Sequence, residues 1–243
     1  MNWSGRRALL TSVATALLLP RALTAATVRN ALPWTANAGD PPTRVMPGSW
    51  VFFTPEEGAA VEALVDRLIP ADADTPGGKD AGCAVFIDRQ LAGPFGSSQG
   101  LYMRPPFFEG TPQQGLQSNT TPAQRYRQSL AALDRFCKAG FAGKVFAQLD
   151  PAQQDRVITG LPSGETRLED VSGRAFFELL LQNTKEGFFA DPIYGGNRNM
   201  VGWLMIGFPG ARYDYRDWVE RHNERYPLPP VGIVGRPEWA LPG

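Results

Sequence analysis

Histidine occurs once in 243 residues, at His222, and cysteine twice, at Cys83 and Cys137. Haem attachment through Cys-x-x-Cys-His is therefore excluded, and a His-rich zinc site cannot be assembled. Two thiols are also too few for an iron–sulfur cluster held by this chain alone. The dinucleotide fingerprint Gly-x-Gly-x-x-Gly and the phosphate loop ending in Gly-Lys-Ser/Thr are both lacking. Net charge is zero and the basic residues are scattered, which argues against a nucleic-acid partner, because displacing counterions takes clustered Lys and Arg. Strand-like alternation of apolar and polar residues is absent, and so is any internal repeat. With these classes set aside, the chain is expected to bring no redox cofactor and no catalytic residue of its own.

Gly and Pro, in contrast, are plentiful, with 26 and 22 residues. The N-terminus has the layout of an export signal. Arg6 and Arg7 precede a 12-residue uncharged, largely apolar run from Ala8 to Leu19, Pro20 breaks it, and Thr24, Ala25 and Ala26 offer small residues for cleavage. The run is too short to span ~30 Å of hydrocarbon, and the paired arginines resemble a twin-arginine signal. Residues 1–26 hold three Arg and no acid, so the remainder carries 21 basic against 24 acidic residues, a net charge of −3. In an oxidising compartment Cys83 and Cys137 can form one disulfide or pack as two buried thiols; the even count favours the bridge.

Residues 27–52 read as an extended arm interrupted by Pro33, Pro41, Pro42 and Pro47. A series of capped helices follows. Thr54-Pro55-Glu56-Glu57 opens the first with a capping box, and Val61, Leu64, Val65 and Leu68 line one face. Ala84 to Leu91 forms a second, shorter helix stopped by Gly93-Pro94. Thr121-Pro122-Ala123-Gln124 opens a third, with Tyr126, Leu130, Leu133 and Cys137 as its buried stripe. Asp150-Pro151-Ala152-Gln153 opens a fourth, with Val157, Ile158 and Leu161. Asp170 or Ser172 opens a fifth, running through Phe176, Phe177, Leu180 and Leu181 toward Phe188. The expectation is an all-α fold: a compact helical domain of about five to seven helices over 53–219, with long Gly/Pro-rich loops. Extended N- and C-terminal arms flank it, the second being the Pro-rich tail 220–243.

Single chemical groups offer little. A nucleophile–base pair would have to use His222, which sits in the strongly polar run Glu220 to Arg225 and reads as a solvated helix face. Asp72 and Asp74 share a loop but lack the remaining spacing of a Ca²⁺ site.

Asn183 to Trp218 is the unusual stretch. Its aromatics Phe188, Phe189, Tyr194, Trp203, Phe208, Tyr213, Tyr215 and Trp218 stand among Gly195, Gly196, Gly207 and Gly210. Such a composition fits core packing with tight turns and equally a partner interface, in which aromatics serve as anchors. The run FFADPIYGGNRNMVGWLMIGFPGARYDYRDW from Phe188 to Trp218 resembles the C-terminal signature of the gluconate 2-dehydrogenase subunit 3 family. Phe53-Thr54-Pro55, Asp66 to Asp72, Phe86 to Leu91, Gly115-Leu116-Gln117 and Phe177 to Leu180 are similar to the same family.

That resemblance implies a small, non-catalytic accessory subunit of a periplasmic, membrane-associated sugar or sugar-acid dehydrogenase. A large FAD-containing subunit would oxidise the substrate, and a multihaem cytochrome c subunit would pass the electrons on. The small subunit would support folding, export and assembly of the flavin subunit, with membrane contact through its partners. Two other readings stay open: a free-standing periplasmic binding module, and an enzyme holding a sugar acid at Asn197 and Arg198 in the Asp191–Arg198 loop.

Overall fold

Helix starts in this chain are written locally, and the computed structural model follows them closely; it describes residues 44–46, 48–108, 110–111, 114, 119–212 and 214–235. Helix α1 spans Pro55–Leu68, with Thr54 and Glu57 exchanging hydrogen bonds in a capping box. Helix α2 spans Cys83–Ala92, α3 Pro122–Gly140 and α4 Pro151–Ser163. Thr121 with Gln124, and Asp150 with Gln153, repeat the capping box for α3 and α4. In each case side chains satisfy backbone N–H groups that have no partner within the helix. Ser172 caps α5, Gly173–Phe189, and the short α6 covers Val201–Ile206. Among the described residues there are six α-helices and no strand, which makes the fold all-α. No helix of the described residues is long and apolar enough to cross a membrane.

Helix α5 is the central element. It packs most extensively against α2 and α4 and also meets α1, α3 and α6. Its buried face is Phe176, Leu180, Asn183, Thr184, Gly187 and Phe188. The expected stripe placed Phe177 and Leu181 here, but both lie at its margin. Two polar residues take interior positions: the Thr184 hydroxyl donates to the Leu180 carbonyl at 2.7 Å, and the Asn183 Nδ2 donates to the Tyr126 hydroxyl of α3 at 3.2 Å, while its Oδ1 is buried without a partner among the described residues. Tyr126 of α3 is fully buried and meets Phe176 edge-on at 5.7 Å. The Arg67 guanidinium forks onto Asp155 with two bonds of 2.7 Å, joining α1 to α4. That hydrogen bonding holds the Asp155 carboxyl below the usual range and the Arg67 guanidinium above its own.

Cys83 opens α2, Cys137 lies in the last turn of α3, and both are buried free thiols. The expected bridge between them is not formed; each instead packs in the core as a small apolar residue. Burial pushes Cys83 up to about 12 and Cys137 up to about 11, from an ordinary value of 9.0. The thiolate is the reactive form, so neither should react with a thiol reagent in the native chain near neutral pH. Denaturation without reductant should release two titratable thiols per chain; none would be found if the cysteines were joined. Both raised groups favour the neutral form in the folded state. Their contribution to stability is therefore complete below pH 9 and declines as the pH climbs toward the folded values.

The described part of the arm lies on its own chain. Asp88 of α2 is fully buried, and its carboxylate accepts from the backbone N–H groups of Val51, Phe52 and Phe53, each at 2.9 Å. Arg89 donates to the same carboxylate and also reaches the Ser49 carbonyl at 3.1 Å. Arg127 of α3 bonds Glu57 and the Phe52 carbonyl, with its guanidinium 4.2 Å over the Phe52 ring. Farther along, Val45 N–H donates to the Ile193 carbonyl at 2.8 Å. Residues 1–43, with Arg6 and Arg7, lie outside the described residues, as do Gly115-Leu116-Gln117 and 236–243.

A candidate partner interface at the C-terminal end

After α5 the chain turns back sharply. Asp191 caps the 3₁₀ turn Pro192–Tyr194, accepting from Ile193 N–H at 3.0 Å. Gly196 then crosses α5 so closely that an added Cβ would lie 2.1 Å from the Gly187 carbonyl oxygen; only glycine fits. Asn197 is fully buried in the left-handed region at φ 45°. Its side chain joins two turns: Nδ2 donates to the Ala190 carbonyl and Oδ1 accepts from Gly202 N–H, both at 2.8 Å. Asn199 and Met200 are also left-handed, at φ 55° and 58°, and deliver the chain into α6.

This geometry removes Asn197 from the sugar-acid reading, because both ends of its amide are committed to backbone. Arg198 lines a hollow of about 220 Å³ with Val45, Met46 and Val85, and its backbone N–H donates to the Ala81 carbonyl at 3.0 Å. Replacing Asn197 with Ala should cost about 3 kcal/mol. The buried Gly202 N–H and the part-buried Ala190 carbonyl lose their partner, and alanine tolerates the left-handed region poorly. Thermal unfolding reads this directly, and a shift of under about 1 kcal/mol would show that the amide is not the link between the turns.

The eight aromatics expected at an interface divide into groups. Phe188 and Trp203 are buried in the chain's own body, where the Trp203 indole donates to the Phe189 carbonyl at 2.8 Å. Tyr215 and Trp218 are half-buried and meet Tyr226 edge-on, at 5.9 and 4.9 Å between ring centres. Phe189, Tyr194 and Phe208 are exposed. Tyr213 lies outside the described residues.

Aromatic counting misses three consecutive exposed apolar residues on α6, Leu204, Met205 and Ile206, which are 50, 53 and 58% exposed. The signal was present in the sequence. Val201 to Phe208 is apolar at every position except its two glycines, and one short helix cannot turn every side into a core. Three consecutive bulky side chains beside exposed Phe208 form the kind of surface that marks an interaction site.

The tail returns to this end of the molecule. Gly210, left-handed at φ 84°, lies so close to Val231 that an added Cβ would be 2.2 Å from its carbonyl oxygen. Ala211 N–H donates to that same carbonyl at 2.6 Å, and Arg212 to the Pro229 carbonyl at 2.7 Å. The second oxygen of Asp191 accepts from Ile233 N–H at 2.6 Å. Residues 229–235 are thereby fastened to their own chain, although the sequence marks 220–243 only as an extended Pro-rich arm.

His222 is exposed in a turn and not on a helix face. Asp72 accepts from the N–H groups of Asp74 and Thr75, which makes the acidic loop a local turn. Among the described residues no group of three His, Cys, Asp or Glu side chains is placed to hold a metal.

The family model described as gluconate 2-dehydrogenase subunit 3 matches residues 55–210, from the start of α1 to the turn after α6. No curated protein and no solved structure matches the chain.

Proposed function

Because the chain belongs to the gluconate 2-dehydrogenase subunit 3 family, we propose that it is the cofactor-free accessory subunit of a periplasmic, membrane-associated gluconate or related sugar dehydrogenase. Its partners are a large FAD-containing subunit, which carries out the oxidation, and a multihaem cytochrome c subunit, which takes the electrons. The chain supports folding and assembly of the flavin subunit, and its Arg6-Arg7 signal exports the pair in folded form. Membrane contact comes through the partners.

The observation that supports this reading best is the exposed apolar face of α6, within the residues matched by the family model. A subunit that spends its working life in a complex can leave such a face uncovered in the isolated chain. Purified alone, the protein should carry no flavin absorption and reduce no artificial electron acceptor when given gluconate. Acceptor reduction by the chain alone would overturn the reading. A calorimetric titration with gluconate should give no binding heat, and heat of binding would revive a sugar-acid pocket.

A further inference from the structure

Between α6 and the returning tail runs an open groove of about 320 Å³. Trp203, Leu204 and Phe208 line one side, Tyr226 and Leu228 the other, and Arg225 is the one charged residue among the described residues of its lining. The two sides differ in origin. The α6 wall lies within the family match, whereas residues 225–230 lie beyond its end at residue 210. The tail wall is nonetheless fixed, by Arg212 on Pro229, by the pairing of Val231 with Pro209 and Ala211, and by Asp191 on Ile233.

We propose that this groove seats an apolar segment of the large partner subunit that carries a carboxylate, from Asp, Glu or its own C-terminus, opposite Arg225. Aromatic and proline walls suit apolar side chains of an extended segment, the mode by which aromatic-lined grooves bind peptides. Among the described lining residues a single cation stands without an acid, which favours an anion at that point and disfavours a Lys- or Arg-bearing segment. Because the tail supplies one wall and the cation, the tail selects which dehydrogenase this subunit joins. The inference rests on the accessory-subunit reading.

The test uses the full chain in its native complex, with a benzophenone amino acid replacing Leu228 and, as a control, replacing exposed Arg174 on α5. Irradiation should join the Leu228 probe to the flavin-containing subunit, on an apolar stretch with a carboxylate within a few residues, and the Arg174 probe should not join there. Arg225→Glu should lower recovery of the partner roughly tenfold without changing the thermal unfolding of the chain, while Arg225→Lys should retain it. If the flavin subunit co-purifies but the Leu228 probe joins nothing, lipid or the chain's own residues 236–243, the groove inference fails and the accessory-subunit reading stands. If no flavin-containing chain co-purifies, both fail.

Discussion

Replacing Asp88 with Ala should lower the midpoint of thermal unfolding by about 10 °C. The carboxylate is fully buried and serves three backbone N–H groups and the Arg89 guanidinium at once. Its removal leaves three backbone donors without their acceptor and leaves Arg89, which among the described residues keeps only the Ser49 carbonyl, without its counter-charge. Breaking a buried charged pair from one side costs about 3–5 kcal/mol, and a domain of this size loses ~2–4 °C per kcal/mol. Asp88→Asn should cost less, about 2 kcal/mol, because one acceptor oxygen survives while the new amide donor faces N–H groups. The damage should be local at first. Residues 51–53 lead into the Thr54 cap of α1, so hydrogen exchange should quicken there before it does in α5. An unchanged midpoint in the Ala variant, read by circular dichroism, would mean that the arm is held by its packing alone.

The second large effect concerns α6. Leu204→Asp combined with Ile206→Asp should leave the thermal midpoint within about 2 °C of the parent, because both side chains are already half exposed. Recovery of the flavin subunit, by contrast, should fall by about 100-fold or more. Truncating a central interface anchor costs roughly 2 kcal/mol, and a charge forced into an apolar contact adds its desolvation. Phe189 and Tyr194, also exposed, provide a graded comparison: single Ala substitutions there should weaken recovery less if the contact is centred on α6. Undiminished recovery of the partner by the double variant would move the interface elsewhere.

Much of the fold was legible because helix starts are encoded within four residues. Thr54-Pro55-Glu56-Glu57, Thr121 to Gln124 and Asp150 to Gln153 each carry their cap, their Pro and their reciprocal side chain in one short string. The structure reproduces all three. Helix α2 begins without a side-chain cap, after Gly82 in the left-handed region, and its expected start at Ala84 fell one residue short. Asp88 could not be read at all, because its three backbone partners stand 35 to 37 residues earlier and the adjacent Arg89 does not by itself announce a buried acid. Helix α5 was placed correctly but faced slightly wrong, since an apolar stripe passes over Asn183 and Thr184, whose burial depends on Tyr126 and Leu180.

The C-terminal signature shows the limit more plainly. Three of its glycines are explained by close backbone crossings within the chain, Gly196 on Gly187, Gly202 on Phe188 and Gly210 on Val231, while Gly195 and Gly207 take left-handed turns. Its aromatics serve core and surface alike, so residue type alone could not sort Phe188 and Trp203 from Phe208. What separates them is the path of the chain through the Asn197 turn, a tertiary fact. The tail was equally opaque: Pro-rich composition suits a free arm, yet the acceptor that fastens it, Asp191, lies 42 residues before Ile233.

The most direct test of the central claim is a native pull-down of the C-terminally tagged chain from the periplasm, with an absorption spectrum taken of the eluate. A flavin band should appear together with a larger co-eluting chain, and a haem band when a cytochrome subunit is retained. A colourless eluate holding this chain alone would contradict that claim.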